Sequence, residues 1–130
     1  MAQSIIDHWT TGVGSALNPD RKNALELIRV TSTFEQVVQQ IKCDRGEPVV
    51  SIATSASASS DTLIGTKAIQ HKLESNASHV IVFGTAWGLS DEIMKQCDYI
   101  LAPVRGQGDY NHLSVRSAAS IYLDRIVNGR

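Results

Sequence analysis

The chain has 130 residues, of which 42% are hydrophobic and 19% are charged, and its net charge at pH 7 is −1. This length and balance are typical of one globular domain with a single core, so we expect one domain over residues 1–130. The near-zero net charge excludes a basic surface over the whole molecule. Nucleic-acid binding would therefore need a local patch or a surface shared by a dimer.

The N-terminus and the cysteines indicate a soluble, cytoplasmic protein. The first residues, "MAQSIIDHWTTG", lack the basic region followed by an apolar region that a signal peptide needs. No apolar run approaches the ~20 residues that span a bilayer. Cys43 and Cys97 are too few and too far apart for a disulfide scaffold, so we interpret them as thiols in a reducing compartment.

The first third of the chain is predicted to be helical. Residues 4–9 are typical of a helix that ends at the following glycines, and the Asn-Pro-Asp of residues 18–20 is typical of a turn or a helix start. Residues 21–28 have helical spacing, although residues 27–30 could equally form a strand. Residues 32–46 predict a further helix that is capped by Ser32 or Thr33 and ends at Gly46.

Three short apolar runs predict strands: residues 48–53, 79–83 and 99–102. The middle run, His-Val-Ile-Val-Phe, is nearly continuous in apolar residues. Such a run is typical of strands that are buried on both faces of a parallel sheet.

Helices are predicted between and after these strands. Asp61 caps a helix that includes Leu63–Ile64, and Ser90 caps a short helix whose acidic first turn suits its positive end. Residues 113–127 predict a long final helix. The alternation of helices and strands indicates an α/β fold in which helices flank a mainly parallel sheet.

Loops rich in small residues follow the predicted strands, at residues 54–60, 84–89 and 103–112. In open α/β sheets, ligands bind beyond the carboxyl ends of the strands, and glycine lets the main chain approach a ligand closely. The loops therefore predict a pocket walled by main-chain groups and suited to an adenine-bearing cofactor. The chain has no Gly-x-Gly-x-x-Gly after the first strand and no Gly-Lys-Ser/Thr, which disfavours a nicotinamide-binding Rossmann domain and excludes a phosphate-binding P-loop.

Three motifs carry a resemblance to a known family: "VIVFGTAWGLS", "YILAPVRG" and "YNHLSVRSAASIYLDRI". Together they resemble the SPOUT superfamily of RNA methyltransferases, and most closely the bacterial family related to, and sometimes fused with, the tRNA (guanine-N1)-methyltransferases. The resemblance extends from about Ile5 to Ile126. It implies a C-terminal trefoil knot, a homodimer, S-adenosylmethionine (SAM) as the cofactor, and RNA, in particular tRNA, as the substrate.

The resemblance also implies a set of cofactor-binding residues. They lie in the three loops and at the end of the last strand: Thr54, Ser55, Ala56, Gly84, Thr85, Gly88, Leu89, Leu101, Ala102, Pro103, Val104, Tyr110, Asn111, His112, Leu113 and Ser114.

Two residues near this pocket are candidates for catalysis. Asp109 is a candidate base for removing a proton from the RNA, and its alternative role is that of a turn former. Arg116 is a candidate for holding the RNA, and its alternative is a contact with the dimer partner. The four histidines lack ligand spacing, so we expect no metal. Trp9 and Trp87 are interpreted as core or interface anchors rather than as platforms for stacking bases.

The chain departs from the family pattern at its N-terminus, where members usually carry an additional strand–helix–strand portion. We therefore predict a SPOUT-like domain over residues 1–130 that lacks this portion. One hypothesis is a SAM-dependent tRNA methyltransferase, and the alternative is a truncated, inactive domain that binds SAM or dimerises. A receiver-like or flavodoxin-like nucleotide-binding module is disfavoured, because the acidic cluster or phosphate loop of such domains is missing.

Overall fold

The computed structural model of the protein describes residues 1–46, 48–58, 63–73, 75–108 and 110–129. The chain forms two units, residues 1–37 and residues 38–130. Within the described residues, no helix is both long enough and apolar enough to cross a membrane.

Three helices form most of the N-terminal unit: α1 (Ala2–Thr10), α2 (Gly14–Leu17) and α3 (Pro19–Glu26). Asn18 begins α3, because its Oδ1 accepts a hydrogen bond from Arg21 N at 3.0 Å. Pro19 takes the first helical position, where its missing N–H has no partner to lose. Residues 27–30, for which a strand was one alternative, form no strand.

Trp9 organises the packing of this unit. A Cβ at Gly14 would lie 2.6 Å from Trp9 Cε3, so only glycine lets α2 approach the indole this closely. On the ring, Arg21 Cζ lies 4.4 Å from the centroid, a cation–π contact worth about 0.5–1 kcal/mol at a partly exposed site. Trp9 is therefore a packing residue of the N-terminal unit.

The larger unit is built on a four-stranded sheet: β1 (Val49–Thr54), β2 (Leu63–Ile64), β3 (Ser78–Val82) and β4 (Tyr99–Leu101). The strand order is β2-β4-β1-β3, and every named pair is parallel. In the central strand, Ile52 is in register with Ile81 on one side and with Tyr99 on the other. The predicted α/β fold with a parallel sheet is confirmed.

The sequence prediction for residues 63–64 is wrong. Leu63–Ile64, assigned to a helix, is strand β2 and pairs with residues 100–101 of β4. Two consecutive apolar residues suit either a helix face or a short strand, and here Gly65 separates them from helix α5 (Thr66–Leu73). The predicted helix cap, Asp61, lies outside the described residues.

Three further helices belong to the chain after residue 33: α4 (Phe34–Arg45), α6 (Asp91–Gln96) and α7 (Val115–Asn128). As predicted, α4 is capped by Thr33, whose Oγ1 accepts from Gln36 N at 3.3 Å. Ser90 caps α6 and Ser114 caps α7, each through its hydroxyl oxygen. α7 ends at Gly129, whose φ of +69° lies in the left-handed region that favours glycine.

The core of the larger unit lies between the sheet and helices α5 and α7. Its fully or almost fully buried members are Ile52, Ile69, Leu101, Tyr122 and Ile126. Burial of an aliphatic side chain contributes about 1.5–3 kcal/mol, so this cluster fixes both helices on the sheet.

Asp98 fixes the start of β4 against β1. Its carboxylate accepts hydrogen bonds from the N and the Oγ of Ser51, both at 2.7 Å, and its own N–H donates to Ser51 Oγ at 3.1 Å. The hydrogen bond from the Ser51 main chain lowers the pKa of Asp98, and partial burial opposes this shift. The pair sets the β1–β4 register.

Tyr122 joins α7 to the segment that follows β4. Its hydroxyl donates to Ala102 O at 2.9 Å and accepts from Val104 N at 3.2 Å. Burial raises the pKa of Tyr122, while the hydrogen bond from Val104 and the charge of Arg125 oppose the rise. One side chain thus satisfies two main-chain groups that have no partner in the sheet.

Replacing Tyr122 by Phe is expected to destabilise the protein by about 1–3 kcal/mol, because Ala102 O and Val104 N lose their partner. Because the pKa of Tyr122 is higher in the folded than in the unfolded protein, its contribution to the free energy of unfolding is complete below the unfolded pKa of about 10. That contribution is lost as the pH rises through the folded pKa. Denaturant unfolding should therefore show a smaller alkaline loss of stability in Tyr122→Phe than in the wild type. Tyr110→Phe, at an exposed tyrosine, is the control and should change stability by less than about 0.5 kcal/mol. Equal effects of the two variants would contradict the assignment.

Candidate functional site

A cavity of about 880 Å³ lies at the carboxyl ends of β1, β3 and β4, within the larger unit. Its walls come from the loops that follow these three strands and from α6 and α7. Parallel sheets bind ligands at this edge, and the volume is in the range of small-molecule sites.

The start of the loop after β1 is held by two side-chain hydrogen bonds. Thr54 Oγ1 donates to Val82 O at 2.9 Å, which joins the carboxyl ends of β1 and β3. Two residues further on, Ala56 O accepts from Asn111 Nδ2 at 3.1 Å, which joins this loop to the one that precedes α7. Two side-chain hydrogen bonds thus set the positions of three strand-end segments.

The loop after β3 is a tight turn in which glycine is required at two positions. Gly88 N donates to Thr85 O at 2.8 Å, and Gly88 has a φ of +79°. The turn folds back onto Gly84, where a Cβ would lie 2.6 Å from Gly88 Cα and from Leu89 N. Gly84 therefore serves the close packing of the turn, whereas a Cβ at Gly88 would have nothing within 4 Å and faces open space.

The loop before α7 returns to the same edge of the sheet. The rings of Tyr110 and His112 meet edge to face, with centroids 5.5 Å apart. Leu113 lines the cavity, and Ser114 caps α7 with its Oγ, which accepts from Ser117 N at 3.2 Å. The segment therefore forms a wall of the cavity and starts the last helix.

Most of the predicted cofactor-binding residues line this one cavity: residues 54–56, 84–85, 88–89, Val104 and 110–114. Leu101, Ala102 and Pro103 are not among the lining residues, and the side chain of Leu101 is fully buried in the core. Arg116 is exposed one residue beyond the cavity wall. Asp109 lies outside the described residues.

Nine lining residues were not in the predicted cofactor-binding set, although those at 57, 86 and 87 lie in the predicted loops. They are Ser57, Phe83, Ala86, Trp87, Asp91, Met94, Val115, Ala118 and Tyr122. Five of them belong to α6 and α7, and which face a helix presents to a pocket depends on how it docks on the sheet. Their spacing at three or four residues was the available signal, but it cannot distinguish the core face from the cavity face.

The described part of the lining is mostly uncharged. It offers one carboxylate, that of Asp91, and one imidazole, that of His112, among small, hydroxyl-bearing and apolar residues. The described residues contain no group of three side chains that could hold a metal ion. Such a wall can bind a largely neutral, planar group through main-chain polar atoms and apolar contacts.

Comparison with known proteins shows where these features recur. The profile of a family described as SAM-dependent RNA methyltransferase matches residues 1–128. The chain belongs to this family. The resemblance expected from the three sequence motifs is confirmed, and so is SAM as the cofactor of the family.

A curated relative of this methyltransferase-family chain is the tRNA (guanine-N(1)-)-methyltransferase of Oleidesulfovibrio alaskensis. It is 40% identical over 127 residues, which are 98% of this chain and 29% of the relative. The chain thus spans less than a third of that relative's length.

Solved structures share the fold. A "probable methylase family protein" from Haemophilus influenzae superposes with a TM-score of 0.68 at 25% identity, over 85% of this chain and 46% of that one. The SpoU methyltransferase AviRb from Streptomyces viridochromogenes, solved in complex with AdoMet, gives a TM-score of 0.60 at 22% identity, over 85% of this chain and 40% of that one. The α/β fold of this family member is therefore that of the SpoU methyltransferases.

The packing of the turn after β3 predicts that alanine destabilises the protein at Gly84 and not at Gly106, which lies outside this turn. Gly84→Ala should destabilise the protein by about 1–3 kcal/mol, because the new Cβ collides with the main chain of residues 88–89. Gly106→Ala is the matched control, since a Cβ there has nothing within 4 Å and its φ is not positive, so stability should stay within about 0.5 kcal/mol. Thermal unfolding of both variants measures the difference, and a tolerated Gly84→Ala would refute the packing described above.

Proposed function

We propose that the chain binds SAM in the cavity at the strand ends and transfers its methyl group to RNA, in particular tRNA, as a homodimer. The observation that carries this proposal is the convergence of the three family motifs on one cavity. The relative from Oleidesulfovibrio alaskensis, named as a tRNA (guanine-N(1)-)-methyltransferase, supports tRNA as the substrate class.

The residues of the cavity fit an adenosyl group. A volume of about 880 Å³ accommodates it, and the open space beside Gly88 lets a ligand reach the main chain of the turn. Leu89, Val104 and Leu113 provide apolar surface for the adenine ring. Since Ala102 O and Val104 N already bond to Tyr122, we assign most direct contacts to residues 84–85, 88–89 and 110–114.

When bound, SAM supplies a methyl group that its sulfonium already activates, so the protein mainly has to align the accepting base. We assign the RNA-holding role to Arg116. It is exposed, forms no ion pair with any described residue, and follows Val115, which lines the cavity. Asp109 remains the proposed base that takes up the proton of the accepting nitrogen.

An exposed apolar stripe on α7 supports the homodimer. Ala118, Tyr122 and Ile126 face the core, whereas the exposed Val115, Leu123 and Val127 follow another row at spacings of eight and four residues, which are multiples of the helical spacing of four. Uncovered apolar rows of this kind mark interaction surfaces. Because Val115 also lines the cavity, a second copy packed on this stripe would lie beside the site.

We further propose a trefoil knot and a cytoplasmic location. After β4 the chain returns to the loop that follows β1, where the side chain of Asn111 donates a hydrogen bond to Ala56 O. A C-terminal knot requires such a return, so this contact supports the proposal. An RNA substrate is consistent with the cytoplasm.

SAM binding can be tested by calorimetry on the whole chain. We expect Leu113→Arg to weaken SAM binding at least about tenfold, a cost of about 1.4 kcal/mol, because it places a guanidinium in the cavity. Leu73→Arg is the matched control, since Leu73 is similarly exposed (39% against 45%) and does not line the cavity. Absence of SAM binding by the wild type, or equal binding by both variants, would exclude the proposed cofactor site.

Methyl transfer can be tested with labelled SAM and total tRNA. We expect the wild type to transfer the methyl group. Arg116→Ala should bind RNA more weakly, and the salt dependence of its RNA affinity should fall by about one phosphate contact. Lys67→Ala, which removes an exposed positive charge away from the cavity, should change neither property. SAM binding without any transfer would instead support the alternative of an inactive binding domain.

A further inference from the structure

Trp87 is the most exposed large side chain at the cavity. Its relative exposure is 99%, so the indole ring is packed against nothing within the described residues, yet the residue belongs to the cavity lining. An aromatic ring of this size is normally buried. Its full exposure at the edge of a site indicates a binding partner.

The turn that carries Trp87 is held firmly. Residues 85 and 88 form an antiparallel bridge, Gly88 N bonds Thr85 O at 2.8 Å, and the turn packs directly on Gly84. The main chain that carries the indole is therefore fixed, so a partner has to order only the side chain of Trp87, which limits the cost in conformational entropy.

A second exposed ring borders the same cavity. Tyr110 is 81% exposed, and its ring is supported on one edge by His112. Two exposed aromatic rings at one opening are typical of sites that hold unstacked nucleic-acid bases, because the bases stack on aromatic faces.

The surroundings of Trp87 favour a planar ligand over a protein surface. Its neighbours in the turn, Thr85, Ala86 and Gly88, are small, and all are exposed. A stable protein interface needs a contiguous patch of about 800 Å² on each partner. A lone flat ring among small residues instead offers a stacking face to another flat ring.

We propose that Trp87 is the platform on which an unpaired base of the RNA substrate stacks at the entrance of the cavity. This inference rests on the proposed function, because it takes RNA as the substrate. It assigns Trp87 a positioning role: the stacked base is held out of its helix and next to the methyl-donor site. It replaces our sequence-based interpretation of Trp87 as a core or interface anchor.

The chain has two tryptophans, so Trp9→Phe leaves Trp87 as the single tryptophan, whose emission can be excited at wavelengths that the three tyrosines do not absorb. Phe is expected to keep the aromatic packing of Trp9 between Gly14 and Arg21. In this background, a short single-stranded oligoribonucleotide should quench the emission of Trp87, and a fully paired RNA of the same sequence should quench it far less. Stacking on the indole requires an unpaired base, so this contrast separates stacking from attraction to phosphates.

The affinity of the single-stranded RNA is then compared across variants with otherwise native sequence. Trp87→Ala should lower it by about fivefold to a hundredfold, and Trp87→Phe, which keeps a stacking face, should retain most of it. Leu73→Ala, at an exposed apolar residue of the larger unit that does not line the cavity, should have no effect. The SAM affinity and the light-scattering mass of Trp87→Ala should match those of the wild type.

Three results would overturn the inference. An unchanged RNA affinity in Trp87→Ala would show that the ring does not contact the RNA. A parallel loss of SAM affinity would place the ring on the cofactor, and a change of mass would place it in an interface between copies.

If the wild type methylates tRNA while Trp87→Ala does so with the same KM, only the stacking role fails. If the wild type neither binds nor methylates RNA, the proposed function fails as well.

Discussion

The hydroxyl of Tyr122 holds the last helix to the end of β4, and the rest of the site depends on this contact. It bonds Ala102 O and Val104 N at once, so α7 and the segment after β4 cannot move independently. Thr54 with Val82 and Asn111 with Ala56 join the other strand ends in the same way. In each case a side chain bonds to main-chain groups of another segment, and for the part-buried Tyr122 and Thr54 this satisfies groups that water reaches poorly. Loops without regular secondary structure thereby become fixed walls.

Those walls suit a reaction in which alignment contributes more than acid–base chemistry. The described lining carries one carboxylate and one imidazole, and its contacts come largely from glycine-bearing turns and apolar side chains. A net charge of −1 provides no general attraction for RNA. Under the proposed function, RNA has to be recognised locally, and the exposed Arg116 and Trp87 at the edge of the cavity are the residues to which we assign a charge contact and a stacking face.

The parts of the structure that depend on local patterns could be predicted from the sequence. Strands β1, β3 and β4 were placed to within one residue, because each is a short run of mainly apolar residues. Leu63–Ile64 was misassigned because its strand character comes from pairing with β4, a contact far away in sequence. The same limit applies to Tyr122, whose helical spacing predicts burial but not the two hydrogen bonds that place it beside the cavity. The strand-end loops were predicted from their small residues and their positions after the strands, and the family motifs supplied the individual cofactor-binding residues. The exposure of Trp87 depends on a turn whose geometry only the structure shows.

Hydrogen exchange of the whole chain, with and without the demethylated cofactor S-adenosylhomocysteine, tests the central claim most directly. Ligand bound where three strand ends meet would slow amide exchange together in residues 54–57, 84–89 and 110–114, and would leave residues 1–26 unchanged. Slowing confined to another part of the chain, or in only one of the three loops, would contradict a single site built by their convergence.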